Sequence, residues 1–123
     1  MPLNVLIVDD SAAIRKILQR VLRQTDIALG EIWEAGDGVE ALDLMKSQNV
    51  GLVLSDVNMP NMDGLQLLAE IKGQDHLKSV PVVMITTEGS QNKVMEALNL
   101  GASGYVRKPF TADQIKEKLV GVI

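Results

Sequence analysis

A chain of 123 residues with 46% apolar side chains is sized for a single domain around one core, and it carries no cysteine with which to staple a smaller one. Its formal charge of -4, from 12 Lys plus Arg against 16 Asp plus Glu, argues against the clustered positive charge that grips nucleic acid without regard to sequence. No apolar stretch reaches the ~18 residues of a membrane span and Met1-Pro2-Leu3-Asn4 has no signal-peptide pattern, so the expectation is a cytoplasmic, monomeric protein with one domain over residues 1–123, no membrane insertion and no direct contact with DNA. Aromatic residues make up only 2%, which leaves the core to Val, Ile, Leu, Met and Ala.

Apolar runs of strand length alternate with segments of helical period, the pattern of βα units on a parallel sheet. The first run, Val5-Leu6-Ile7-Val8, stops at Asp9-Asp10, and Ser11 can cap a helix with Ile14, Ile17, Leu18, Val21 and Leu22 inward and Arg15, Lys16, Arg20 and Arg23 in water. A strand of mixed polarity from Glu31 to Ala35 suits a sheet edge, and Gly36-Asp37-Gly38 leads into a helix with Val39, Leu42 and Met45 inward. Leu52-Val53-Leu54-Ser55 delivers Asp56, and a loop with Pro60 precedes a helix of Leu65, Leu68 and Ile71 that Asp63 can cap. The fourth run, Pro81 to Ile85, ends at Thr86, and the helix after Ser90 places Val94, Ala97 and Leu98 inward before Gly101 stops it. A short strand around Tyr105 and Val106 reaches Lys108-Pro109, and a last helix from about Thr111 buries Ile115, Leu119 and Val122.

Four strands thus end in polar groups at the edge where parallel sheets bind ligands: Asp9-Asp10, Asp56, Thr86-Thr87 and Lys108. A unit-charge pair at ~4 Å is worth about 4 kcal/mol at an effective dielectric of 20, so three carboxylates together call for a cation. Oxygen-only ligands with room for water and phosphoryl oxygens favour Mg2+, with Mn2+ able to substitute. An ammonium beside that cation is unfavourable until an anion lies between them, and a phosphoryl group on Asp56, formed by metal-assisted covalent catalysis, supplies one. Taken singly, each strand end has an ordinary explanation as a turn, a cap or β-propensity; their joint occurrence carries the inference. His76, in the polar stretch Gln74 to Ser79, reads as a solvated loop residue, and Met59 and Met62 as packing.

Val8-Asp9-Asp10-Ser11, the segment Asp56-Val57-Asn58-Met59-Pro60-Asn61-Met62-Asp63-Gly64, Thr86, and Gly101-Ala102-Ser103-Gly104-Tyr105-Val106-Arg107-Lys108-Pro109-Phe110 together resemble the receiver domain of two-component response regulators, most closely the single-domain, CheY-like chemotaxis type. The resemblance implies a doubly wound, flavodoxin-like (βα)5 fold with a five-stranded parallel sheet in the order 2-1-3-4-5. It implies that Asp56 accepts a phosphoryl group from the phosphohistidine of a CheA-like sensor histidine kinase. Asp10, Asp56 and the backbone carbonyl of Asn58 would ligate Mg2+, with Asp9 acting largely through water and Lys108 pairing with the phosphoryl oxygens. Thr86 would move toward the phosphoryl group and Tyr105 turn inward behind it, altering the surface of the fourth helix, fifth strand and fifth helix, where Val94, Tyr105 and Lys118 would meet a target. Asn58, Thr87 and Glu88 occupy tuning positions, Thr87 being bulkier than the residue usual there. The Lys108–Pro109 bond is expected to be cis.

No output domain is expected after Val122-Ile123, so the effect falls on a separate protein such as a flagellar motor switch or a phosphotransfer protein, with a phosphatase among the partners. The chain itself would be a regulatory phosphoacceptor that promotes its own phosphorylation and dephosphorylation, not an enzyme acting on others. Two other readings keep an aspartyl phosphate. A phosphorelay intermediate uses the same residues, whereas a haloacid-dehalogenase-type hydrolase wants Asp-x-Asp where this chain has Asp9-Asp10-Ser11. A flavodoxin-like cofactor binder is disfavoured because two aspartates in the first loop repel a phosphate.

Overall fold

The computed structural model describes residues 2–87 and 89–122. Among them five strands alternate with five helices: β1 (Leu3–Val8), α1 (Ala12–Arg23), β2 (Leu29–Ala35), α2 (Gly38–Ser47), β3 (Leu52–Ser55), α3 (Gly64–Lys72), β4 (Val82–Thr86), α4 (Gln91–Asn99), β5 (Gly104–Arg107) and α5 (Ala112–Val120). All strand pairs are parallel, in the order β2-β1-β3-β4-β5. This is the doubly wound topology the motifs implied. The central strands are continuous apolar runs because helices cover both of their faces.

Alternation along each strand divides the core in two. Leu6, Val8, Val53, Val82 and Met84 point to the side of α2, α3 and α4, where they meet Ala41, Met45, Leu67, Leu68, Ile71 and Ala97. Val5, Ile7, Leu52, Leu54, Val83, Ile85 and Val106 point to the side of α1 and α5, against Leu18, Leu22, Ile115 and Leu119. Each such side chain taken fully out of water is worth about 1.5–3 kcal/mol, so the two layers make a stiff floor under the strand ends. Helix starts are capped as the sequence suggests: Ser11 accepts from Ile14 N, and Asp63 forms a reciprocal capping box with Gln66. Gly101, at φ +103°, takes the left-handed conformation that ends α4.

Several inward assignments are corrected. Of Val39, Leu42 and Met45, Met45 is buried and Leu42 packs against the core as expected, but Val39 is 47% exposed, because two steps of three residues drift by 120° on a 3.6-residue helix; Gly38 and Ala41 are buried alongside Met45. In α4 the inward line runs through Ala97, flanked by half-buried Lys93 and Leu100, which leaves Leu98 46% exposed. Ile17 lies at the margin of its stripe, 43% exposed, and Val122 is half-buried in the turn after α5. Arg15 does not face water: its side chain is 20% exposed and ion-paired with Glu34 on β2. β2 begins at Leu29, two residues ahead of the expected start, and occupies the sheet edge foreseen for it.

Candidate functional site

Register builds the site. Val8 of β1 pairs with Ser55 of β3, so Asp9 and Asp56 leave the sheet side by side, and the pairing of Thr86 on β4 with Arg107 on β5 brings Lys108 to the same edge. Backbone hydrogen bonds extend the ladder just past the strands, from Asp9 N to Ala35 O at 3.0 Å, Asp56 N to Val8 O at 2.9 Å and Lys108 N to Thr86 O at 2.9 Å. Asp9, Asp56 and Lys108 are therefore tied into the sheet by its own hydrogen bonds.

Asp9, Asp10 and Asp56 each turn a carboxylate oxygen to a common point, these oxygens all lying within 4.8 Å of one another, with Asp9 and Asp56 buried and Asp10 exposed. Three hard oxygen donors at that spacing fit a small divalent cation. Lys108 Nζ closes the cluster at 2.7 Å from Asp9 Oδ2 and 3.4 Å from Asp56 Oδ2. The ammonium is thus a counterion of the carboxylates themselves, a role the sequence reading reserved for the metal. Burial pushes the Asp9 carboxyl above its ordinary value near 3.8, and the Asp56 charge adds to that, against the opposing pull of Lys108 and the Ser11 N–H. Asp56 Oδ1 accepts from Val57 N at 2.7 Å, and Oδ2, facing Lys108 at 3.4 Å, is the oxygen turned toward the cluster.

The structure brings together Asp9, Asp10, Asp56 and Lys108, with Thr86 fully buried at the end of the adjoining strand. Asn58 lies exposed in the loop beyond Asp56, and Thr87 lines an apolar groove beside the site with Ile14, Ile17, Lys108, Pro109 and Phe110. Glu88 is outside the described residues. Tyr105 and Lys118 border one concave surface on β5 and α5, but Val94, half-buried on α4, is not among the residues that line it. The Lys108–Pro109 bond is cis. His76 is exposed, and Met59 and Met62 pack against the core.

Two features of the loop after β3 were not read from the sequence. Asn61, at φ 65°, donates from Nδ2 to Asp37 Oδ2 at 2.7 Å, and Gly38 N donates to Met62 O at 3.0 Å, so the loop is moored to the start of α2. Gly64 lies so close that a Cβ there would be 2.0 Å from the Asp56 carbonyl oxygen. The Asp37-Gly38 and Asp63-Gly64 pairs were the available signals, each read only as a turn or cap.

A family model described as "Response regulator receiver domain" matches residues 5–120. The chemotaxis protein CheY-3 of Vibrio cholerae is 42% identical over 117 residues, covering 95% of this chain and 88% of that protein. Among solved structures, Vibrio cholerae chemotaxis protein CheY4 superposes with a TM-score of 0.89 at 34% identity over 100% of both chains. A chain of the CheX-CheY-BeF3-Mg2+ complex from Borrelia burgdorferi reaches 0.90 at 33% identity, over 99% of this chain and 90% of that one.

Proposed function

The chain belongs to the response regulator receiver family, and from that membership we propose that it is a phosphorylation-activated switch of chemotaxis signalling whose phosphoacceptor is Asp56. The observation that carries this reading is the position of Lys108 Nζ, shared between Asp9 Oδ2 and Asp56 Oδ2 beside three converging carboxylates. A cation-ready acidic cluster with an ammonium at its lip has a use for a dianionic group on Asp56, which would satisfy both.

Asp56 Oδ2 attacks the phosphorus of a phosphohistidine on a sensor kinase; the P–N bond breaks and its electron pair leaves on the imidazole. Lys108 turns from the carboxylates toward the new phosphoryl oxygens and stabilises their charge. Asp10, Asp56 and the Asn58 carbonyl are the groups to hold Mg2+, or Mn2+ in its place, which when bound neutralises charge on the phosphoryl group in transfer. Asp9, committed to Lys108, acts through water. Thr86 engages the phosphoryl group and Tyr105 follows it, reshaping the concave surface that Tyr105 borders with Lys118. The target binds there. The Borrelia burgdorferi complex is named for CheX and CheY together, and a phosphatase partner is part of the proposal here. The protein works as a monomeric, cytoplasmic phosphoacceptor, not as an enzyme with an external substrate. Among the described residues no helix is long and apolar enough to cross a membrane.

Labelling with radioactive acetyl phosphate in Mg2+ tests the assignment. The wild type should take up acid-stable, base-labile label and Asp56→Asn should take up none, because an amide oxygen is a far weaker nucleophile. Full labelling of the Asn variant at another residue overturns the choice of Asp56.

A further inference from the structure

We propose that Arg15, held by Glu34, is a positioning residue that aims the carboxylate of Asp10 at the cation site. The proposal rests on the metal assignment above and concerns how that site is kept in shape. Asp10 differs from its neighbours in the cluster: it is exposed, and among the described residues its side chain has no hydrogen bond or ion pair, whereas Asp9 and Asp56 are each tied to Lys108. Its aim is therefore set by its backbone alone. Both peptide groups that flank it are pinned. The Ser11 N–H after it donates to Asp9 Oδ1 at 2.8 Å, and the Asp9 carbonyl before it accepts from Arg15 Nη1 at 2.6 Å.

Arg15 reaches that carbonyl because its other edge is fixed. Its Nε donates to Glu34 Oε1 at 2.9 Å, while Glu34 Oε2 accepts from Gln19 at 2.6 Å and Lys16 at 3.0 Å. A planar guanidinium can serve a carboxylate and a carbonyl at once; a lysine ammonium has no such fork. Electrostatics alone disfavours the arrangement, since a cation near a metal site opposes metal binding. The two accounts therefore predict opposite signs. If Arg15 were merely a nearby charge, removing it would tighten Mg2+. If it positions Asp10, removing it weakens Mg2+ despite the lost repulsion, by about tenfold or more, as is typical when a group orienting a metal ligand is lost.

The test is isothermal titration of the full chain with Mg2+ at fixed ionic strength, alongside 15N amide spectra and urea unfolding of each variant. Arg15→Ala and Arg15→Lys should both weaken Mg2+, and Glu34→Gln should weaken it less. The Asp10 and Ser11 amide signals should shift in all three without Mg2+. Arg20→Ala, which removes an exposed charge from the same helix, should bind Mg2+ at least as well as wild type. Should Arg15→Ala prove unfolded, Arg15→Lys and Glu34→Gln carry the test. Folded Arg15 variants with unchanged or tighter Mg2+ would overturn the positioning role while leaving the site standing; a wild type that binds no Mg2+ would overturn both.

Discussion

Lys108 and Asp9 offer the sharpest energetic test, because their ion pair is nearly out of water, with side chains 12% and 2% exposed. At 2.7 Å and an effective dielectric of 20 the gross attraction is about 6 kcal/mol, most of it offset by the cost of desolvating both ions. Cutting the pair at Lys108 leaves the carboxylate buried without its cation. Losses of ~3–5 kcal/mol are usual for such cuts. Here Asp9 keeps the Ser11 N–H and can take up a proton, so Lys108→Met should cost about 2–3 kcal/mol in chelator at pH 7, or roughly 8–12 °C in Tm for a chain of this size. Asp9→Asn should act in the opposite sense. Because burial raises the Asp9 pKa, folding favours its protonated form: that contribution is complete below the ordinary value near 3.8 and is lost as pH rises through the raised value. The Asn variant escapes this loss, so it should be more stable than wild type at pH 7 and lose that advantage toward pH 3. The double variant should lie near wild type, so that the two substitutions are clearly non-additive. Urea unfolding of the four proteins in chelator measures the non-additivity. Additive effects of the two substitutions, or an Asp9→Asn that is less stable than wild type at neutral pH, would refute the account of Lys108 as the counterion of a buried carboxylate.

Gly64→Ala should destabilise by about 2–3 kcal/mol and slow labelling by acetyl phosphate, since its Cβ would be 2.0 Å from the Asp56 carbonyl oxygen and the loop must move; a variant as stable and as quickly labelled as wild type would contradict that contact. For Glu34, burial raises the carboxyl pKa, but hydrogen bonds from Lys16, Arg15 and Gln19 outweigh it and hold the group below its ordinary value near 4.5. That stability is present above about pH 4.5 and lost as pH falls, so Glu34→Gln should flatten the acid limb of a Tm-against-pH profile; an unchanged limb would remove Glu34 from the balance. Thr86→Ala should leave Mg2+ affinity within about twofold of wild type. It should shrink, equally in both directions, the gain that beryllofluoride and a target peptide give each other, as linkage requires, and calorimetry that finds the full gain would exclude Thr86 as the connection.

The fold and the gathering of Asp9, Asp10, Asp56 and Lys108 at one edge were legible in the sequence for one reason: both are written in local patterns. Apolar runs that stop at an Asp or a Lys mark where a buried strand meets solvent, and topology then collects those ends without further specification. What escaped depended on phase or on contacts across the chain. Spacing by three looked like a face at Val39, Leu42 and Met45, yet the drift it accumulates turns Val39 outward, and the buried Gly38, where a Cβ would meet Met62 Cγ at 2.7 Å, has no side chain to give a hydrophobic signal. Arg15 was placed in water because it sits on the polar side of its helix, and nothing within eighteen residues announces that Glu34 will stand opposite it. The same holds for Asp37 with Asn61, and for Lys108 with Asp9, ninety-nine residues apart. Such pairs join one βα unit to another, so they exist only once the sheet has set its order. Lys108 shows what this hides. Read along the chain, it is a cation waiting for a phosphate; in the folded protein it is already paired with the carboxylates of Asp9 and Asp56. On the proposed reading, a phosphoryl group on Asp56 would compete with Asp9 for Lys108, and because Lys108 directly follows β5, that competition would tie the state of the strand ends to β5.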